Sequence, residues 1–165
     1  MPTKKLVSPS ELGISLFDFV MLSSKKLLSE EFVLNKIKGV NISRDDLYDI
    51  EIVIVYMWLV FHLLNLKGEK YEDAATAMHA RFLDTFKIPE SNRPQTMDIL
   101  EKRYEEYKEA FQKKKLNFEG VALAASTHSL KEISKAAFFH FELGARLSSG
   151  FKALLNILNE IEVKD

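Results

Sequence analysis

Ile52-Val53-Ile54-Val55-Tyr56-Met57-Trp58-Leu59-Val60-Phe61 is a run of ten residues without a charged side chain, and its reading decides the fold. Its β-branched beginning would suit a strand in isolation. Context decides otherwise. From Ser43, which with Asp46 offers a helix cap, to Gly68 there is no turn signal, and the span far exceeds a strand. Apolar residues on every side of a helix mark one enclosed by others. Extended to Leu66 the run takes in His62 and Asn65. It therefore falls short of the roughly 18 unbroken apolar residues expected of a membrane span. The expectation is a buried central helix over about 44–67.

On either side, punctuation marks further helices. Ser8-Pro9-Ser10-Glu11 is a capping box with proline in the first turn, so helix 1 is expected from there to about Leu28. Residues 1–7 are expected to form a disordered tail. Ser29-Glu30-Glu31 opens a short piece that stops at Gly39, and Ser129-Leu130-Lys131-Glu132 reads as a second capping box. Pro89 and Pro94 bracket a loop, and Lys113, Lys114 and Lys115 suit the negative end of a helix dipole.

Periodicity agrees. Tyr71, Ala74, Ala75, Met78, Phe82 and Phe86 share one helical face. Met97, Leu100, Tyr104, Tyr107 and Phe111 form a heptad-like seam, and so do Gly144, Leu147, Phe151, Leu154, Leu158 and Ile161. The cluster Gly144-Ala145, Ser148-Ser149-Gly150 has two readings: a close helix approach, or a break near 149. The fold class expected is a single all-α domain over 1–165, a bundle of about five to seven helices around the central one.

Composition narrows the functions. With 23 Lys+Arg against 24 Asp+Glu the net charge is −1, which removes the general electrostatic argument for nucleic acid or an anionic membrane. No cysteine is present, so thiolate metal sites, disulfides and a cysteine nucleophile are excluded. No apolar leader follows the first residues, and the cytoplasm is the expected location.

No phosphate loop, nucleophile elbow, His-Glu-x-x-His or EF-hand pattern occurs. His62, His79 and His140 have no carboxylate at helical offsets, and no metal or cofactor is expected; His128 has Glu132, across an expected cap. Glu51 and His62, eleven residues apart, fall within about 20° of one helix face but about 16 Å apart along it. The simple reading puts Glu51 at the wet end and gives His62, neutral at neutral pH, one hydrogen-bond partner in the core.

Phe138-Phe139-His140-Phe141 points aromatics around most of a helix, so the helix is either sandwiched in the core or partly turned to another molecule. Arg146 and Lys152 would rim such a patch. The string Tyr56 to Leu64, followed by Met78-His79-Ala80-Arg81-Phe82 and then Tyr104 and Tyr107, resembles the ubiquinol–cytochrome c chaperone family. The resemblance is confined to the middle of the chain and rests on composition, so no fold, cofactor or site residue is carried over from it.

The leading expectation is a non-catalytic protein acting through protein–protein contact, by self-association as a homodimer or with another protein. Its interface candidates are Phe138, Phe139, Phe141 and Arg146. The alternative is a small-ligand bundle, metal-binding or enzymatic, with an apolar pocket lined by Tyr56, Trp58, His62, Met78, His79 and Phe82. A third reading is peripheral membrane contact by helix 1, through Leu12, Phe17, Phe19 and Leu22 flanked by Lys25 and Lys26.

Overall fold

The computed structural model describes residues 4–29, 47–132 and 136–164, with side chains from Phe139 onward in the last stretch. The short piece expected up to Gly39 and the Ser43–Asp46 cap lie outside the described residues. The architecture is all-α. Six helices are described: α1 (Pro9–Leu27), α2 (Asp49–Lys67), α3 (Glu72–Thr85), α4 (Arg93–Lys113), α5 (Phe118–Ser129) and α6 (Ala136–Asn159). Two three-residue strands, β1 (Lys5–Val7) and β2 (Ile161–Val163), pair in parallel with Lys5 opposite Ile161.

The Ser8 capping box opens α1 as the sequence indicates. The Ser8 hydroxyl accepts from the Glu11 amide at 3.2 Å, and Glu11 Oε2 accepts from the Ser8 amide at 2.9 Å. That backbone hydrogen bond, helped by the Ser8 hydroxyl, holds the Glu11 carboxyl below its ordinary range. The tail expected to be disordered is structured at Lys5–Val7. The end of α6 delivers Ile161–Val163 alongside it, the Lys164 amide donates to the Val7 carbonyl at 2.9 Å, and Val163 is buried.

α2 is the centre of the molecule. Every residue from Ile52 to Val60, with Leu63 and Leu64, is buried, and α2 packs against each of the other five helices. Its hydrophobic surface has no preferred side because no side is wet. Among the described residues it is the one helix long and apolar enough to cross a membrane, but most of it is buried inside the protein. It begins at Asp49, not at about 44. The Tyr48 amide donates to the Ser129 carbonyl at 2.7 Å and Leu47 bridges to Leu130, which keeps these two residues out of the helix.

Ser129 is the second correction. It ends α5 instead of capping the next helix, and its hydroxyl donates back to the Ala125 carbonyl at 2.7 Å. α5 and α6 form an antiparallel hairpin against α2 and α4, and α1 packs along α3. α6 runs unbroken through Ser148-Ser149-Gly150. Of the two readings of the cluster the close approach holds, and a β-carbon at Gly150 would lie 3.3 Å from a Leu59 methyl, but the tightest approaches lie elsewhere. A β-carbon at Gly144 would meet the Ala122 β-carbon at an ordinary 3.5 Å, whereas one at Gly13 would lie 2.5 Å from the Ala74 carbonyl oxygen. At Gly120 it would lie 2.4 Å from the carbonyl oxygen of Ala110.

Both seams face inward. Leu100 and Tyr107 on α4, and Leu147, Leu154 and Leu158 on α6, are buried within the chain, so these seam residues pack against neighbouring helices. Leu12 and Phe17 of α1 are buried as well, with the Phe17 ring edge-on to Phe82 at 6.5 Å, which takes them off any membrane-facing surface.

Candidate functional site

The six residues expected to line one apolar pocket are dispersed over three sides of α2 and α3. Tyr56, Trp58, Met78 and Phe82 are all core, none more than 2% exposed. Phe82 packs toward α1, against Phe17 and, at 5.0 Å, Phe86. Tyr56 feels Arg146 and Glu142 of α6, and burial pushes its hydroxyl up to about 12. Trp58 faces α4, edge-on to Tyr107 and Phe111 at 6.0 Å each. Packing alone explains these four positions.

The two histidines sit among aromatic rings. His62 stacks on Trp58 at 5.1 Å with rings 12° apart, and Phe111 meets it edge-on at 5.0 Å. No hydrogen bond reaches it from the described residues, so the expected partner is replaced by ring packing. His79 Nε2 lies 3.0 Å from the Tyr104 hydroxyl, and Phe61 stacks on Tyr104 at 5.0 Å. Burial lowers the pKa of both imidazoles, and both are neutral at pH 7.

A cleft of about 240 Å³ opens between α2 and α4 beside His62, walled by Trp58, Phe61, Tyr104, Lys108 and Gln112. The sequence points to Trp58 and His62 but not to Phe61, Tyr104, Lys108 or Gln112. Phe61 was visible as part of the apolar run; nothing in the sequence brings α4 across it. Glu51, expected at the wet end, is held by Arg103, whose Nε and Nη2 both lie 3.2 Å from its carboxylate. Burial pulls the Arg103 pKa down, and the Glu51 hydrogen bond and charge more than reverse this. Close by, the buried Tyr107 hydroxyl has no hydrogen-bond partner among the described residues. Among those residues, no group of three or more histidine and carboxylate side chains is placed to hold a metal ion.

The aromatic cluster of α6 divides. Phe139 is 1% exposed and His140 is buried, while Phe141 is 62% exposed and lies over His140, ring centroids 4.0 Å apart. The Phe138 side chain lies outside the described set. Arg146 does not stand free at a rim: its Nε lies 3.1 Å from Glu142 Oε1 one turn back, both side chains about one-quarter exposed. Beside Phe141 a cleft of about 260 Å³ lies between the start of α5 and α6, lined by Asn117, Glu119, His140, Gly144, Ala145 and Ser148. No family model, curated protein or solved structure matches the chain.

Proposed function

We propose that the protein is non-catalytic and acts through protein–protein contact, pairing with a second copy across the face of α6 that carries Phe141. The observation that carries this reading is Phe141 itself, a large ring 62% exposed beside a cleft of about 260 Å³ on the same face. A two-fold axis sets the same surface against itself, so the ring of each copy can enter the cleft of the other. Aromatic anchors seated in partner pockets are the usual source of binding energy in such contacts. Sedimentation across micromolar concentrations tests it: the wild type forms a dimer, and Phe141→Ser is monomeric with an unchanged melting temperature. A wild type that stays monomeric up to about millimolar concentration, a contact too weak to act, overturns it.

A second reading rests on His62. Its half-buried ring borders the α2–α4 cleft together with Trp58, the one tryptophan of the chain, which supports binding of a small planar ligand there. Native mass spectrometry of the purified protein separates the two, since it reports a bound small molecule and a dimer as different masses.

A further inference from the structure

A third cleft, of about 340 Å³, lies where the last turn of α2 meets the β1–β2 ribbon. Three lysines line it: Lys4, Lys67 and Lys70. They come from separate elements, so the fold brings them together. Lys4 immediately precedes β1, and that strand is tied down where the Lys5 amide donates to the Glu160 carbonyl at 3.0 Å. Lys67 ends α2 and is half-buried, and Lys70 lies in the single 3₁₀ turn before α3.

None of the three has a carboxylate within ion-pair distance among the described residues. Lys67 donates instead to Asn159 Oδ1, a neutral group that fixes the ammonium without cancelling its charge. Lys70 lies 5.4 Å from the centre of the Tyr71 ring. Tyr71 is itself 4% exposed and lines the cleft, and its hydroxyl makes no hydrogen bond to a described residue. Glu162 is the one carboxylate in the lining, so three cations face one anion in a protein whose total charge is −1. Like charges gathered at one concavity repel one another, and an anion seated between them relieves that cost.

We propose that this cleft binds a small phosphorylated compound, with Lys4, Lys67 and Lys70 around its phosphate oxygens and the Tyr71 hydroxyl donating to one of them. Clustered ammonium groups suit multiply charged phosphate better than a single carboxylate, because each is a point charge that needs no planar match. The site is on the opposite end of α6 from Phe141 and is independent of the pairing proposed there.

Calorimetric titration of the full chain with pyrophosphate at low ionic strength tests it. One saturable site per chain is expected. The Lys67→Gln, Lys70→Gln double variant should weaken it by about a hundredfold, because it removes two charged donors. The Lys25→Gln, Lys26→Gln variant makes the same change in net charge on α1 and should bind as the wild type does. Tyr71→Phe, which keeps the ring, should weaken binding without lowering the melting temperature. Vesicles of phosphatidylcholine with phosphatidylserine should not retain the protein, since the ligand is a free phosphate compound and not a lipid headgroup. Absence of saturable binding overturns the proposal, as do equal losses in the two double variants or retention by the vesicles.

Discussion

Gly13→Ala is the substitution whose cost the structure dictates most directly. An added β-carbon would lie 2.5 Å from the Ala74 carbonyl oxygen, 2.6 Å from the Ala77 β-carbon and 2.9 Å from the Met78 amide nitrogen. Two of those three atoms are backbone, so no rotamer change makes room. Ordinary contacts lie at about 3.5–4.0 Å, and α1 must retreat from α3 by about 1 Å to restore them. The retreat loosens Leu16 and Phe17 against Met78 and Phe82, all now buried. Alanine recovers up to about 1 kcal/mol of helix propensity. Overpacking in a tight core costs about 1–3 kcal/mol and more where backbone is the obstacle, so the net loss expected is about 2–3 kcal/mol. For a chain of this size that is a fall of about 4–12 °C in melting temperature.

Far-UV circular dichroism during heating, checked by urea unfolding, measures the effect. Gly144→Ala is the matched control. Its added carbon would meet nothing closer than 3.5 Å, so only the propensity gain of up to about 1 kcal/mol remains and stability should rise slightly. A Gly13→Ala protein that melts at or above the wild type would refute the close α1–α3 packing.

Three other outcomes follow from the interior. Burial holds the folded-state pKa of His62 and His79 below the ordinary 6.5, so the unfolded chain takes up protons first. Stability is complete above that value and drains away as pH falls through it, levelling off below the folded pKa. The fall in melting temperature from about pH 7.5 to about pH 5.5 should be shallower in His79→Gln than in the wild type, and equal falls would contradict this. Tyr107→Phe removes a buried hydroxyl with no partner among the described residues, so urea unfolding should show it unchanged or more stable by up to about 1 kcal/mol. Glu51→Gln takes the charge from a pair whose side chains are 16% and 25% exposed, and should lower stability by about 1–2 kcal/mol. Arg103→Lys keeps the charge but loses the two-pronged contact, and the same unfolding assay should place it between Glu51→Gln and the wild type.

The elements were legible wherever a local rule acts alone. Ser8 and Glu11 satisfy one another within a single turn, and Gly68, with φ 102°, closes α2 where its missing side chain permits. The run from Ile52 could be read as an enclosed helix because length overrides β-propensity. Misreadings came where a distant segment supplied the partner. Ser129 resembles a cap, yet its hydroxyl turns back to Ala125 and its carbonyl is used by Tyr48. The Gly144 cluster, visible by composition, does pack closely, but the two tightest glycines, Gly13 and Gly120, stand alone among ordinary neighbours. Sites suffered most. Helical spacing groups Tyr56, Trp58 and Met78 as apolar, but which side of α2 meets which helix is decided by packing. Lys4, Lys67 and Lys70 come together only once the chain ends have met.

The account stands on α2 being the shielded axis of the bundle. Native-state amide exchange in detergent-free buffer measures that directly. The amides from Ile52 to Leu64 should be the slowest in the chain, opening only with global unfolding. Exchange there as fast as at the helix ends, or protection gained only when lipid vesicles are added, would contradict it.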